Sequence, residues 1–578
     1  MKKTFLPLAT SLILACGIAN AQADYKFKPT TFVGALSDKA EEDWTAGWVE
    51  WNPQNKVYGA VTDTTTLNSY AQTSPSGRLE ITTNVTLDAS QVYLLRGLVV
   101  VRSGASLTIP AGTVIRGEAD APNGNFGALV IDRGGKIFAN GTSTNPVVFT
   151  SNQPVGDRTP GDWAGILVCG KATMNRAFNK IHVDGQNGRQ MEGFQRITAF
   201  PDEGVFGGTD DNDNSGVIKY TRIEYAGLPF AQDEELNSLT LGCVGLQTEL
   251  HHIQTSYGND DAFEAFGGYC NMSYLVSIAT VDDDFDFDFG HRGLVQFGIA
   301  IRDRELFDES ASGNSALFEI DSESAGALPT TATIFSNITA VGVIPEGANY
   351  SSLNSTEQSK FSFAYRGRLN STTSLINSIL MGMPSQIRLE SSGTINASYK
   401  FSGDRTEAPV LMQNNIFYGV SGGRTGTGIS GLVNANPAAD FDDVNNWLRA
   451  EAGANRVDPV TWGTGNLLVN PTLTGTPDFR PVAESPALTG ASFTNARIAA
   501  VTPTSDVNFS NNQVIYPNPV QRGSEINFSV EAKRFTITNA SGVVLMSGAA
   551  TSKVSTSNLE AGMYLINVDG KTSKLVIY

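Results

Sequence analysis

The chain has 578 residues, a formal charge of −18, 17 % charged residues and 58 glycines. So acidic a surface argues against nucleic acid and anionic membrane as partners. The charge-poor, glycine-rich profile is that of an extracellular β-rich protein rather than a helical enzyme, and the length allows several domains or one long repeat array.

Residues 1–23 read as a signal peptide: Lys2-Lys3, an apolar run over Phe5–Ala15, and small-residue cleavage options at Ala19-Asn20-Ala21 or Ala21-Gln22-Ala23. The run is too short to span a bilayer, and Cys16 after Ile-Leu-Ala is a poor lipidation site. No later segment reaches a spanning length, so an exported chain without a membrane span is expected.

Residues 24–72 read as an N-terminal cap region. Trp44, Trp48 and Trp51, with Trp163 farther on, carry this reading. Spacings of four and three suit one helical turn closing the open end of a repeat array; exposed sugar-stacking rings are the competing reading. Three cysteines remain after cleavage: Cys169, Cys243 and Cys270. Cys243 and Cys270 lie about one repeat apart, so a disulfide between them is expected in an oxidising compartment. Two buried thiols are the alternative.

Over residues 73–500 short apolar runs are separated by Gly, Asn, Asp and Pro. DFDDVNNWLRAE (440–451) is the best helix candidate. TRIEYAG (221–227), HHIQTSYG (251–258), SYLVSIATV (273–281), SNITAVG (336–342), INSILMG (376–382) and QNNIFYG (413–419) form a loose repeat. Coils of about 20–25 residues with variable insertions predict a β-solenoid. A β-sandwich array would need more Asn-Gly hairpin signals than Asn123-Gly124, Asn140-Gly141 and Asn187-Gly188.

SLTIPAGTVIRG (106–117) and ALVIDRGGKIFANGTSTNPVVFTS (128–151) resemble the opening coils of right-handed parallel β-helix proteins. DWTAGWVEWNPQN (43–55), GGTDDNDNSGVIKYTRIEYAG (207–227) and DDAFEAFGG (260–268) resemble a family of secreted β-helix proteins of the Bacteroidetes. NPTLTGTPDFRPVAESPAL (470–488) is similar to the closing segment of such helices. The resemblance implies an all-β fold, a right-handed parallel β-helix followed by a small C-terminal β-sandwich, and carries little function.

After a linker at 501–513, residues 514–578 suggest a sandwich of six or seven short strands. Tyr516-Pro517-Asn518-Pro519, Gly542, Gly562-Met563-Tyr564 and Lys574-Leu575 resemble the type A sorting domain of type IX secretion. That resemblance implies the type IX machinery as partner, passage across the outer membrane, and release or attachment at the cell surface.

The stretch Asp282–Gly290, DDDFDFDFG, alternates acids with phenylalanines, the period of a strand with one dry and one wet face. Shifting by 22 residues places Asp260 on Asp282, Asp261 on Asp283, Phe263 on Phe285 and Glu264 on Asp286. In stacked coils about 4.8 Å apart these acids form a carboxylate patch. Three readings stand open. Asp260, Asp261, Asp282, Asp283, Asp284 and Asp286 could ligate Ca²⁺, which takes clustered carboxylates. The patch could catalyse polysaccharide cleavage, with Asp283, Asp286 and Glu264 as acids, or with Ca²⁺ and an arginine base: Arg292, or Arg302 or Arg304. It could also be a solvated acidic surface.

Asp210, Asn212 and Asn214 imitate half of an EF-hand loop, but Gly216 comes one position late and Thr221 replaces the bidentate Glu; a metal-free Asx turn competes. For His251-His252 one ring is expected inward and one outward, and His291-Arg292 would partly neutralise the aspartate run. His182 carries no zinc-ligand spacing. The functional expectation is a secreted surface protein that binds a glycan or other polymer, with Ca²⁺ as an ion. A Ca²⁺-dependent polysaccharide lyase or hydrolase and a structural or adhesive surface component are the alternatives.

Overall fold

The computed structural model describes most of residues 26–390, then 410–418, 433–436, 448, 466–499, 501 and most of 515–577. The signal peptide, the linker beyond residue 501, Gly542, Pro517, Asn518, Pro519 and the 440–451 helix candidate apart from buried Leu448 lie outside the described residues. The chain divides into two units, Met1–Thr502 and Pro503–Tyr578.

The first unit is a parallel β-helix. One sheet stacks Leu98–Val101, Ala128–Ile131, Gly165–Cys169, Leu239–Gly242, Phe263–Phe266, Phe285–Asp288, Phe318–Ile320, Phe363–Gly367 and Ser385–Glu390, each parallel to the next. The 22-residue step is the register found: Phe263 pairs with Phe285, Glu264 with Asp286, and Ile253 with Leu275. Alternate residues point inward, so Phe263, Phe285, Phe318 and Tyr365 form a ring stack with centroids 5.8, 5.1 and 6.1 Å apart. Their neighbours Glu264, Asp286, Glu319 and Arg366 share the outer face.

The second sheet bends once in every coil. Tyr220, His252, Tyr274, Phe297, Asn337, Asn377 and Asn414 all have positive φ, between 45° and 62°. They occupy matching positions of successive coils. A left-handed residue turns each strand and omits one pair while the register resumes beyond it, at a cost that asparagine bears well and an aromatic ring does not. Stacking offsets it for the rings: Tyr220 on His252 at 4.2 Å, His252 on Tyr274 at 4.3 Å, and Tyr274 on Phe297 at 4.9 Å. The bend also corrects the expectation for the two histidines. Leu250 and Ile253 face the core, whereas His252 joins the outer stack and His251 is partly exposed beside Glu249.

The tryptophan-bearing part of the N-terminal segment, residues 27–58, does not lie over the end of the solenoid. It runs along the flank of the bent sheet, from late coils back to early ones. The Phe27 amide donates to the Val501 carbonyl at 2.8 Å, Gly34 to Asn377 at 2.8 Å, Ala35 to Thr339 Oγ1 at 2.9 Å and Glu50 to Gln254 Oε1 at 2.9 Å. Farther along, the Tyr58 hydroxyl donates to Glu224 at 2.7 Å. Trp44 and Trp48 lie edge-on to His252 in the stack, and Trp51 packs on Phe479. Trp163 is buried in the core against Phe149. The apolar surface that draws the tryptophans is thus the outer ring ladder. At the first coil, buried Leu67 belongs to the inner core, and Gln72–Thr73 pairs antiparallel with Leu79–Ile81.

The expected disulfide is absent: Cys169, Cys243 and Cys270 are free and buried. Gly242 pairs with Phe266, so Cys243 sits opposite Gly267, three positions short of Cys270. Cys243 also points outward, among Cys169, Phe206 and Phe266, whereas Cys270 points into the inner core. Burial pushes all three thiols up, Cys270 to about 12. A thiol reagent is therefore expected to label none of the three in the folded mature protein and all of them in denaturant; a single reactive thiol after unfolding would restore the disulfide.

Among the described residues the second unit has five strands, where the sequence suggests six or seven, in one antiparallel sheet. Two of them are long, Glu525–Thr538 and Val544–Ser555. A register shift between Asn527 and Ala532 breaks the regular pairing of the first of these with the second, where the sequence suggests separate short strands. No helix of the described residues is long and apolar enough to cross a membrane.

Candidate functional site: an acidic cleft on the outer face

The outer face of the Phe263–Phe266 and Phe285–Asp288 strands forms the floor of a cleft of about 960 Å³. One wall is the insertion after Ile301, with Leu306, Asp308, Glu309, Gly313 and Asn314; Pro160, Met191 and Glu192 stand opposite. The floor is part of a row in register, Thr240, Glu264, Asp286, Glu319, Arg366, Arg388, of which Glu264, Asp286, Glu319 and Arg366 line the cleft. Its charge changes sign between Glu319 and Arg366.

Just before each strand runs a second row, Asn237, Asp261, Asp283 and Ala316, in which a side-chain oxygen accepts the amide of the next coil. Asn237 Oδ1 takes the Asp261 amide at 3.0 Å, Asp261 Oδ1 the Asp283 amide at 2.8 Å, and Asp283 Oδ1 the Ala316 amide. These bonds fix one oxygen of each aspartate and leave the other to the cleft. Asp284 diverges from its neighbours. Its carboxylate accepts from Arg302 Nη1 at 2.9 Å and from Ser277, all fully buried, and it does not line the cleft. The same guanidinium donates to the carbonyls of Thr280, Val281, Asp282 and Ala316, tying down the turn that carries Asp282 and Asp283.

Carboxylate oxygens converge in three groups whose atoms lie within 4.8 Å of one another: Asp260, Asp261 and Asp282; Asp261, Glu264 and Asp286; Asp283, Asp286 and Glu319. Asp282 Oδ1 and Asp286 Oδ1 are buried and have no hydrogen-bond partner, as are both amide atoms of Asn314. Burial raises the carboxyls of Asp261, Glu264, Asp283 and Asp286 well above the usual range, and the neighbouring acids add to it. Asp282 is pushed to about 8, by burial and then by Glu319 and Asp308. Asp288 is raised likewise by burial and Asp321. Glu319 is also raised by burial, although Arg368 and Arg366 oppose it.

Several expected members are elsewhere. Arg292 donates to Thr173 at 2.6 Å and to Asp211 at 3.1 Å, outside the cleft. Arg304 pairs with Glu357. His291 turns into the core, bonded to Thr333 Oγ1 at 2.8 Å, and neutralises nothing in the cleft. His182 is buried far along the chain's fold against Asp132 at 2.6 Å. Asp210 and Asn214 accept the amides of Asn212 and Gly216 in Asx turns, and none of the three joins a carboxylate group among the described residues. Phe289 leaves the inner stack at a positive φ of 52° and packs on Phe266 outside. Glu319, Asn314, Arg366 and Arg368 escaped sequence reasoning because the step from Phe285 to Phe318 is 33 residues, not 22. The echo of FDF in FEI (318–320) was the available signal.

Residues 79–444 match the pectate-lyase-like β-helix domain. The chain belongs to that family. In this pectate-lyase-like β-helix the matched span contains the whole floor of the cleft. Residues 514–577 match the secretion system C-terminal sorting domain. That domain implies handling by the type IX secretion machinery and export to the cell surface or release. Tyr516 ends a strand there, Gly562 and buried Tyr564 begin another, and Lys574 pairs with Leu565. No curated protein and no solved structure matches the chain.

Proposed function

We propose that this exported β-helix protein is a binding module whose acidic cleft holds Ca²⁺ and, through it, an extracellular glycan or related polymer. The observation that carries the reading is the convergence of carboxylate oxygens around the unpartnered, buried Oδ1 atoms of Asp282 and Asp286. Ca²⁺ binds oxygens at about 2.3–2.6 Å, so two ligands of one ion lie no more than about 5 Å apart. The 4.8 Å groups fit that span. Asp260, Asp261, Asp282, Asp283, Asp286, Glu264 and Glu319 would hold the ion, with the Asn314 amide oxygen as a neutral ligand.

Binding is favoured over catalysis by the same electrostatics. A glycosidase keeps one carboxyl neutral and its partner ionised, whereas Glu264, Asp283 and Asp286 are all raised together. A lyase needs a basic group ready to take a proton. Arg366 and Arg368 are held by Glu319, Glu390 and Asp321, and both are raised rather than lowered.

Calorimetric titration of the mature protein with CaCl₂ should show binding, weakened more than about tenfold, about 1.4 kcal/mol, by Asp286→Asn. Retention on a glycan array should require Ca²⁺ and be lost in chelator. Reducing-end or unsaturated products from any polysaccharide on the panel would replace the binding reading with an enzymatic one.

A further inference from the structure

Between Gly165–Cys169 and Gly216–Glu224 the chain leaves the solenoid as a hairpin, Lys180–Ile181 paired with Asn187–Gln190, which runs on into Met191 and Glu192 of the cleft wall. The tip of the hairpin is fastened to one corner of the solenoid, just after the Ala128–Ile131 strand. His182 is buried there with Nε2 2.6 Å from Asp132 Oδ1. Arg133 donates to the Asn187 carbonyl at 3.0 Å and to Asp184 Oδ2 at 3.2 Å. The far end of the same insertion grips the same corner. Arg102 donates to Asp132 Oδ2 at 3.1 Å and to Glu203 Oε1 at 2.6 Å, and the Glu203 carbonyl accepts from Gln190 Nε2 at 3.1 Å.

The second ring nitrogen of His182 has two neighbours that need opposite protonation states. The Asp184 amide lies 3.1 Å from Nδ1, and Asp184 Oδ1 lies 3.0 Å from it. A neutral ring with its proton on Nε2 accepts from the amide, whereas a charged ring donates to the carboxylate. Only the charged ring ties a carboxylate of the solenoid, Asp132, to one of the hairpin, Asp184. The surroundings favour that charge. Glu80, Asp132, Asp184 and Glu203 outnumber Arg102 and Arg133. Lys171 reaches the adjoining turn at Gly134, and the buried Cys169 thiol nearby is pushed up and stays uncharged. Burial opposes a charge on the ring, but the bonds to Asp132 and Asp184 outweigh it and raise His182 above the ordinary histidine value.

We infer that His182 is a proton-operated latch: charged, it holds the hairpin and the Met191–Glu192 wall of the cleft against the solenoid, and neutral, it lets that wall open more readily. An unfolded histidine titrates near pH 6.5. The hold is therefore complete below that pH and fades as pH rises through the higher value of the folded state. The latch requires nothing of what the cleft binds.

Hydrogen exchange of the mature full chain from pH 5.5 to 8.5, corrected for the intrinsic dependence of exchange on pH, tests this. Protection of peptides covering 180–192 is expected to fall severalfold more than that of Leu98–Val101, the strand that leads into Arg102. His182→Gln, which cannot be charged, should abolish that excess fall. Asp184→Asn keeps the ring but removes its second carboxylate, and should move the midpoint of the fall to lower pH. It also serves as the deciding variant if circular dichroism shows that His182→Gln does not fold. Hairpin protection that tracks Leu98–Val101 throughout, an excess fall that survives in His182→Gln, or an unmoved midpoint in Asp184→Asn overturns the latch.

Discussion

Replacing Arg302 with alanine is expected to lower the stability of the solenoid by roughly 3–5 kcal/mol, read as a large fall in melting temperature. Its side chain and that of Asp284 are both fully buried, 2.9 Å apart. Removing the guanidinium leaves the Asp284 carboxyl, already raised by burial, without its main partner. It also removes a donor from four carbonyls, on Thr280, Val281, Asp282 and Ala316, of which Val281 keeps its bond from Ser315 Oγ. The effect should extend to function, since the released turn carries Asp282 and Asp283, and the calcium response should vanish with the stability. Arg302→Met combined with Asp284→Leu should recover part of the melting temperature, because an apolar pair tolerates burial where an orphaned acid does not. A single variant that melts like the wild type would show that the pair contributes little to the fold.

The second large effect is a dependence on pH that changes character with calcium. Without divalent ions the protein is expected to be most stable in mild acid and to lose stability as pH rises toward 8. An unfolded Asp or Glu releases its proton near pH 4. Asp261, Glu264, Asp283 and Asp286 keep theirs well above that in the fold, and Asp282 does so to about 8. Between those limits the folded state binds more protons than the unfolded one, so stability falls as pH increases. Carboxylates held low, such as Glu249 by its bond to His251 and Asp478 by Arg480, act over the opposite range, below about pH 4.5. His182 is raised as well, its burial outweighed by bonds to Asp132 and Asp184, and its contribution fades in the same direction as that of the cleft. Saturating Ca²⁺ should flatten or invert the slope, since the ion takes only ionised carboxylates. Melting temperatures from pH 5 to 8.5, in chelator and in CaCl₂, measure this, and Asp286→Asn should flatten the chelator curve. A chelator curve that stays level in the wild type would mean that the cleft acids are not under mutual strain.

The coil spacing and the inward phenylalanines were legible because Phe263 and Phe285 fall on consecutive coils of equal length, so the alternation itself declares the register. The next coil was not legible: the insertion between Ile301 and Phe318 lengthens the step, and Glu319 drops out of phase with Asp286. The His251-His252 prediction failed for a backbone reason. A strand's two-residue alternation assumes extended geometry throughout, and a left-handed residue in mid-strand resets it. The cysteine pairing failed by three positions, which on a strand is enough to change both neighbour and face. Tyr516 and Gly562-Met563-Tyr564 marked the sorting domain by their resemblance to the family pattern, without any fold argument. The burial of the acids was invisible, since the walls that enclose them come from distant insertions.

The flank-lying N-terminal segment sets an order of assembly. The stretch that leads the mature chain has no place to settle until Asn377, Thr339 and Val501 have followed it. The segment synthesised first therefore finds its partners among those synthesised last, and its Trp44 and Trp48 cover the ring stack at Tyr220, His252 and Tyr274. Phe27 seated against Val501 therefore reports, by where it rests, that the coils between them are complete.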